Sequence, residues 1–310
     1  MNGMLARGAG VLMCALPALA ANAHEAYRFD ALAPGVYVHT GVHEEPTPAN
    51  RGDIANKGAV VGDRCVAVID TGGSLADGQA LLAAIRGVTT LPVCYVINTH
   101  MHPDHVFGNA AFDTLEPRPV FIADSRLPPA LAQRASTYLA RLGGQLGAAA
   151  QGERLVPPDR VVEDTMELDL GGRSLMLHSW PTAHTNNDLT VFDAAGGVLW
   201  LGDLLFRERI PALDGSLRGW LAVSRTLRTV PAKIAVPGHG PPGEGWRAAL
   251  DLQDAYLQQV ADRVKKAIAA GRSLSETVQT VDPAEASTWR LAPDYHTRNV
   301  TAAFAELEWE

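Results

Sequence analysis

The sequence predicts an α/β fold in which two β-sheets pack face to face and helices cover their outer surfaces. Short β-like segments alternate with helix-like segments in both halves of the chain, a pattern typical of sheets covered by helices. Of the 310 residues, 47% are hydrophobic and 19% are charged, which is enough apolar material for a sizeable core. No internal repeat or interdomain linker is evident, so we expect a single domain.

The expected elements follow from apolar periodicity and from Gly and Pro punctuation. In the first half they are strands at 35–40, 58–61 and 65–69, a helix at 75–86, a strand at 93–98, a helix beginning at 108–112, a strand at 120–123 and a helix at 128–150. In the second half they are strands at 166–170, 174–179, 189–192, 198–201 and 234–236 and helices at 217–229, 246–270 and 300–307.

The formal net charge is -8 at pH 7, and no run rich in Lys and Arg occurs. Nucleic acids and anionic membranes attract such basic runs. The charge pattern therefore argues against a nucleic-acid partner and favours a small-molecule substrate.

The first 23 residues have the pattern of a secretory signal peptide. Arg7 gives a positive start, residues 8–19 are apolar, and Ala21-Asn22-Ala23 offers the small residues that a signal peptidase recognises. The apolar run is too short to span a bilayer comfortably. We expect cleavage after Ala20 or Ala23, export to the periplasm and no stable membrane insertion. An uncleaved anchor or a cytosolic tail is the alternative.

Cleavage would leave two cysteines, Cys65 and Cys94, each near the start of an expected strand. If those strands are neighbours, an oxidising compartment could link the two thiols. Two buried free thiols are the alternative, and the sequence slightly favours them. Two lone cysteines without CxxC spacing do not indicate a thiolate metal site.

Histidine and aspartate recur where expected strands end, and strand ends on one side of a sheet lie close together in space. Imidazole and carboxylate groups suit Zn²⁺, with iron or manganese as weaker options. A carboxylate can bridge two cations and offset their repulsion. The candidate ligands of two metal ions are His100, His102, Asp104, His105, His184, Asp203 and His239.

Five short motifs resemble those of the metallo-β-lactamase fold superfamily, in the right order over residues 35–241. They are Asp70-Thr71-Gly72, the HxHxDH-like His100-Met101-His102-Pro103-Asp104-His105, the HTxxD-like His184-Thr185-Asn186-Asn187-Asp188, Leu201-Gly202-Asp203 and Pro237-Gly238-His239-Gly240-Pro241. The resemblance implies an αββα sandwich with the metals at one edge between the sheets. We expect this domain at residues 24–243, after a signal peptide at 1–23, with residues 244–310 as a C-terminal helical extension packed on it.

The resemblance also implies a role for each of these side chains. The first metal ion would be bound by His100, His102 and His184, the second by Asp104, His105 and His239, and Asp203 would bridge both. Asp70 and Asp188 would orient imidazoles or fix turn geometry. Asp188 also fits a simple turn cap before the strand that follows it.

The implied chemistry is hydrolysis by a hydroxide shared between two zinc ions, since a water bound in this way loses a proton near neutral pH. Asp104 is the candidate catalytic residue, because beside this nucleophile it could orient the hydroxide or relay a proton to the leaving group. Authentic zinc β-lactamases generally have cysteine or serine near the position of Asp203, so its carboxylate argues against a dedicated β-lactamase.

Two longer stretches, residues 98–109 and 213–221, are similar to an exported group described as quinoprotein relay system zinc metallohydrolases. That resemblance implies a periplasmic di-zinc hydrolase of a small ester, thioester, lactone or amide, with a periplasmic quinoprotein dehydrogenase system as its partner. The alternatives are a β-lactamase-type amide hydrolase and a non-hydrolytic metal-binding accessory or maturation protein.

Three further features each have two interpretations. His43-Glu44-Glu45 lies in a Pro-rich loop that could cover the metals as a flap, although a solvated loop is favoured. Gly219-Trp220 could form a wall for the substrate or a packing helix. Tyr295-His296 could reach the site, although nothing in the sequence requires it.

Overall fold

The computed structural model describes residues 27–281 and 286–309. The expected signal peptide at residues 1–23 lies outside these residues. Among the helices of the described ranges, none is both long enough and apolar enough to cross a membrane.

The first sheet has seven strands, which lie side by side in chain order. They are β1 (Asp30–Ala33), β2 (Val36–His39), β3 (Lys57–Val61), β4 (Val66–Ile69), β5 (Val93–Ile97), β6 (Val120–Asp124) and β7 (Arg160–Val162). Strands β1 to β4 pair antiparallel and β4 to β7 pair parallel. The short strands β1 and β7 were not anticipated from the sequence.

The second sheet has five strands in the order β12-β11-β10-β9-β8. They are β8 (Thr165–Asp169), β9 (Ser174–Ser179), β10 (Leu189–Asp193), β11 (Val198–Phe206) and β12 (Ile234–His239). The strands expected at 198–201 and 234–236 are longer than predicted, because β11 and β12 continue to pair in parallel through Gly202 and His239. Asp203 and His239 therefore project from paired strands and not from the loops after them.

Eight α-helices occur in the described residues. They are α1 (Leu75–Val88), α2 (Pro103–Val106), α3 (Asn109–Phe112), α4 (Leu127–Leu146), α5 (Leu217–Leu227), α6 (Trp246–Ala269), α7 (Leu274–Gln279) and α8 (Ala292–Leu307). Helix α4 ends earlier than expected, at Gly147 with φ 56°, a conformation that glycine adopts easily. Helix α8 begins eight residues before the expected start at 300, because the buried polar residues His296 and Asn299 interrupt its apolar pattern.

The core confirms the four-layer αββα arrangement. Apolar side chains of both sheets meet in the centre, as Val38 and Ile97 do with Leu177 and Trp200. Helices α1 and α3 cover the outer face of the first sheet. Helices α5, α6 and α8 cover the outer face of the second sheet, so the C-terminal helices share one continuous core with its strands.

A disulfide bond joins Cys65 and Cys94, whose Cα atoms lie 5.7 Å apart. Cys65 immediately precedes β4 and Cys94 lies on β5, and these two strands pair in parallel. The free-thiol alternative, which the sequence slightly favoured, is therefore wrong, because strand pairing places the two sulfur atoms side by side.

Candidate metal centre

The seven candidate ligands converge at one edge between the two sheets and form two adjoining groups. Within each group the ligand atoms lie within 4.8 Å of one another. The first group is His100, His102, His184 and Asp203, and the second is Asp104, His105 and His239. The segment after β5 supplies four of these side chains, and the second sheet with its β9–β10 loop supplies the other three. Their role as ligands remains a prediction that the geometry fits.

The carboxylate of Asp203 turns one oxygen toward each group. Its Oδ2 lies 3.3 Å from Nε2 of His184 and 3.8 Å from Nε2 of His100. Its Oδ1 lies 3.2 Å from Nε2 of His105 and 3.4 Å from Nε2 of His239. This is the arrangement that a bridging carboxylate requires.

Most of the imidazoles have one nitrogen held by the surrounding protein. Nδ1 of His105 lies 2.8 Å from Oδ2 of Asp70, and Nδ1 of His184 donates to the carbonyl of Ala212 at 2.6 Å. These contacts leave Nε2 of each ring directed into the site, as a metal-binding imidazole requires. Asp70 thus has the imidazole-orienting position that the sequence predicted.

His239 and His102 are held in the same manner. Nδ1 of His239 donates to the carbonyl of Ile54 at 2.7 Å. Nε2 of His102 lies 2.9 Å from Asp214, which leaves its Nδ1 directed toward Nε2 of His184 at 3.0 Å. Asp214 was not identified as a site residue from the sequence.

Three ligand atoms are buried and make no hydrogen bond with the described residues: Nε2 of His100, Nε2 of His105 and Oδ1 of Asp203. Buried polar atoms normally have partners, so three unpartnered ones at one point indicate a missing group. Imidazole nitrogens and carboxylate oxygens are the donors that zinc prefers. The side chains at the predicted site therefore have the unpartnered atoms and the donor types that a metal ion needs.

The charges of the site also suit a cation. Burial raises the pKa of Asp203, but the imidazoles of His239 and His105 outweigh it and hold that pKa well below its ordinary value. Burial lowers the pKa of His184 to about 3, so this ring is neutral, as a ligand must be. Burial also lowers the pKa of His105, but the carboxylates of Asp70 and Asp203 outweigh it and raise that pKa. The carboxylates of Asp70 and Asp203 thus place negative charge around His105, and a bound cation would neutralise that charge.

Residues 51–239 match the family model described as "Metallo-beta-lactamase superfamily". The chain belongs to this superfamily. Membership confirms the resemblance stated for the motifs and the αββα fold class. It also confirms the expected class of protein, the metal-dependent hydrolases, at the level of the superfamily.

The known proteins that this chain resembles have low sequence identity to it. A linear primary-alkylsulfatase from Pseudomonas sp. (strain ATCC 19151) is 22% identical over 212 residues, which cover 57% of this chain and 40% of the relative. A metallo-beta-lactamase from Pontibacter korlensis matches with a TM-score of 0.60 and 20% identity over 74% of this chain and 98% of that one. The sec-alkylsulfatase Pisa1 from Pseudomonas sp. matches with a TM-score of 0.70 and 17% identity over 90% of this chain and 50% of that one. The chain thus spans half or less of the length of these alkylsulfatases, and the structural likeness supports the fold.

Asp188, in the HTxxD-like motif of the superfamily, caps a turn. Its carboxylate accepts hydrogen bonds from the backbone N–H of Thr185 at 3.0 Å and from Oγ1 of Thr185 at 2.6 Å. Burial raises the pKa of Asp188 to about 7, although these hydrogen bonds lower it. The turn-cap interpretation is therefore correct, and Asp188 fixes the segment that begins at His184.

A cavity of about 280 Å³ opens above the ligands, with Asp104, Asp203 and His239 on its wall. Glu45 and Pro46 of the loop between β2 and β3 also line it, so this loop forms part of the cavity wall. We call residues 40–56 the flap loop. Glu45 and Pro46 thus face the cavity, as the flap interpretation expects, while Val42 and Glu44 are exposed, as the solvated-loop interpretation expects.

Tyr295 and Trp220 lie on opposite sides of the question whether their segments reach the cavity: the first does and the second does not. Tyr295 lines the cavity, whereas His296 is buried beside Tyr256, with its Nδ1 3.0 Å from the tyrosine oxygen. Trp220 is fully buried behind His184, with ring centroids 5.2 Å apart, so its helix packs against a ligand and forms no wall for the substrate.

Sequence reasoning did not single out the arginines that line this cavity. They are Arg134, Arg141, Arg209 and Arg298. Arg134 and Arg141 are seven residues apart, two turns of α4, and this spacing could have indicated a shared basic face. Arg209 and Arg298 reach the cavity because α8 packs beside β11. The sequence has no local pattern that indicates this packing.

Proposed function

We propose that this chain is a periplasmic hydrolase that uses two zinc ions to cleave a small ester, thioester, lactone or amide. The carboxylate of Asp203, with one oxygen toward each histidine group, is the observation that carries the two-metal proposal. Imidazole and carboxylate donors favour zinc, with iron or manganese as the alternatives.

Bound metal ions would lower the pKa of a water molecule and polarise the electrophilic group of the substrate. The protein supplies a carboxylate beside them. Oδ2 of Asp104 lies 3.3 Å from Nε2 of His239 and 3.8 Å from Nε2 of His105. Burial raises the pKa of Asp104, but the two imidazoles outweigh it and keep the carboxyl ionised. Ionised at the cavity wall, Asp104 can therefore accept a hydrogen bond from the attacking water and orient it.

A small-molecule substrate suits the site better than a nucleic acid does. The cavity holds about 280 Å³, and its wall includes apolar side chains such as Leu142, Phe206 and Leu213. Two of the relatives are named as alkylsulfatases, which supports an ester-type substrate. The net charge of -8 also disfavours a polyanionic partner.

Export of the mature chain is supported by the disulfide between Cys65 and Cys94, because disulfides persist in oxidising compartments. We infer that the signal peptide is cleaved and that no stable membrane insertion remains. The link to a periplasmic quinoprotein dehydrogenase system is supported by the resemblance of residues 98–109 and 213–221 to the quinoprotein relay group.

The test combines metal analysis with a substrate panel. We expect two equivalents of metal and turnover of an ester, alkyl sulfate ester, thioester or lactone, with a reduction of about 100-fold or more in Asp104→Asn. Asp251→Asn, on the exposed face of α6, is the matched control. A marked preference for a cephalosporin would favour the amide hydrolase. Full metal loading without turnover of any class would overturn the hydrolase in favour of a metal-binding accessory protein.

A further inference from the structure

Glu45 of the flap loop reaches three side chains on three other elements at the mouth of the cavity. Its Oε1 accepts a hydrogen bond from the hydroxyl of Tyr295 on α8. The same oxygen lies 3.8 Å from Nη2 of Arg209, which follows β11, and Oε2 lies 3.8 Å from Nη2 of Arg141 on α4. One carboxylate thus lies between two guanidinium groups without a close contact to either.

Arg209 is a buried cation whose guanidinium makes no close contact with a carboxylate of the described residues. Its side chain is only 5% exposed, and Nη2 donates to the hydroxyl of Tyr295 at 3.1 Å. Nη1 lies 3.1 Å from Nδ1 of His239, but that nitrogen already donates to the carbonyl of Ile54 and offers no acceptor. Its ion-pair partner among the described residues is Glu45, beyond hydrogen-bond distance. A buried guanidinium is normally stabilised by close, bidentate contact with an oxyanion.

Another arginine of the cavity, Arg134, shows the contrast with Arg209. Arg134 binds both oxygens of Asp214, at 2.6 and 3.3 Å, and is therefore neutralised. Arg298 and Arg209 both lie over the ring of Tyr295, with guanidinium carbons 5.1 and 5.4 Å from its centroid. Two arginines, Arg209 and Arg141, thus share the charge of Glu45, and Arg298 lines the same cavity, in a chain whose net charge is -8.

We propose that Arg209, Arg141, Arg298 and Tyr295 form a subsite for an anionic group of the substrate, and that Glu45 occupies it until the substrate displaces it. The inference rests on the proposed hydrolase and defines its substrate as an ester that carries a carboxylate or sulfate group. Guanidinium groups bind both kinds of oxyanion through paired hydrogen bonds. Because Glu45 belongs to the flap loop, displacement also releases this loop from α4 and α8 and widens the mouth.

The first test is anion binding to the metal-loaded protein, measured by calorimetry with butyrate and with inorganic sulfate. Glu45→Gln removes the competing charge and should tighten binding several-fold, whereas Arg141→Gln should weaken it by about tenfold. Glu44→Gln is the matched control, because Glu44 lies on the same loop but contacts Asn50. The anion whose affinity changes more in these variants indicates whether the substrate carries a carboxylate or a sulfate group. Equal affinities in Glu45→Gln and Glu44→Gln, or no effect of Arg141→Gln, would overturn the subsite.

The second test compares kcat/KM for two esters of equal size, one anionic and one neutral. The anionic-to-neutral ratio should rise in Glu45→Gln and fall by about tenfold in Arg141→Gln. Turnover with a ratio that neither substitution changes would overturn the subsite and leave the hydrolase standing. Charge-dependent anion binding without turnover of any ester would overturn the hydrolase and leave the subsite standing.

Discussion

Nε2 of His102 lies 2.9 Å from Oδ2 of Asp214, a residue 112 positions further along the chain. The same carboxylate oxygen accepts a hydrogen bond from Arg134 at 2.6 Å, so the three side chains form a line from α4 to the metal centre. Asp214 lies in the loop before α5 and fixes an imidazole from the opposite sheet. It therefore sets which nitrogen of His102 faces the first ligand group.

Replacing Asp214 with Ala should weaken binding of the first metal ion by about 10- to 100-fold, because His102 loses the contact that orients it. Competition titration with a chromophoric chelator measures this affinity. Asp251→Ala, on the exposed face of α6, is the control. Unchanged affinity in Asp214→Ala would contradict the role given to this contact.

Removing individual histidines should separate the two metal ions. His184→Ala should selectively weaken the first ion and His239→Ala the second, because each ring belongs to a different group. Asp203→Ala should weaken both, since each of its oxygens faces one group. Anomalous scattering from crystals of the three variants measures the occupancies. The assignment is wrong if His184→Ala and His239→Ala deplete both positions equally.

Lys57→Met should destabilise the fold by about 3–5 kcal/mol, because it leaves the buried carboxylate of Asp77 and the partly buried one of Asp53 without their lysine. Lys57 is fully buried, and its Nζ lies 2.7 Å from Asp53 and 2.8 Å from Asp77. Urea denaturation measures the free energy of unfolding. Lys233, whose side chain is 74% exposed, provides the control Lys233→Met, which should change it by less than about 0.5 kcal/mol. A loss in Lys57→Met no larger than in this control would refute the buried network.

Glu153 should make stability decrease between about pH 4.5 and pH 7. Its Oε1 accepts the N–H of Leu75 at the start of α1, while Oε2 is buried without a partner in the described chain. Burial raises the pKa of Glu153 to about 7, although the bond from Leu75 lowers it. Because the folded pKa exceeds the unfolded one, the native carboxyl keeps its proton, and this stabilisation is complete below the unfolded pKa and lost as pH rises through 7.

Glu153→Gln keeps the hydrogen-bond acceptor and removes the titration. At pH 8 it should raise stability by about 1 kcal/mol, a value reduced for the partial exposure of this side chain, and at pH 5 by much less. Melting temperatures of both proteins at the two pH values test this. An equal difference at pH 5 and pH 8 would show that ionisation is not the cause.

The seven candidate ligands could be predicted because each belongs to a short motif whose spacing is visible in the sequence. The groups that orient them could be predicted only where they lie in such a motif, as Asp70 does. Asp214 reaches His102 from the opposite sheet, and Ala212 reaches His184 from the loop after β11, so no local pattern indicates either contact. Arg209 could not be identified as a cavity residue for a similar reason, because it contacts Tyr295, 86 positions further along the chain.

The extents of the elements were harder to predict than their existence. The strand expected at 198–201 stops just before Gly202, whose φ is 51°, but pairing with β12 carries β11 four residues beyond this glycine. In α8, the inward side chains of His296 and Asn299 are polar, so a search for apolar spacing found only the last turns of the helix. In both cases tertiary contacts outweighed the local pattern.

The division of the ligands between the two halves of the sandwich has a consequence for maturation. The first group needs His184 in addition to the histidines that follow β5, and the second needs His239 in addition to Asp104 and His105. Under the proposed two-metal function neither half carries a complete set, so full metal uptake would require two sheets that have already docked. Binding free energy is thereby added to the docked state alone. Under the proposed two-metal function, complete metal occupancy would therefore mark finished assembly.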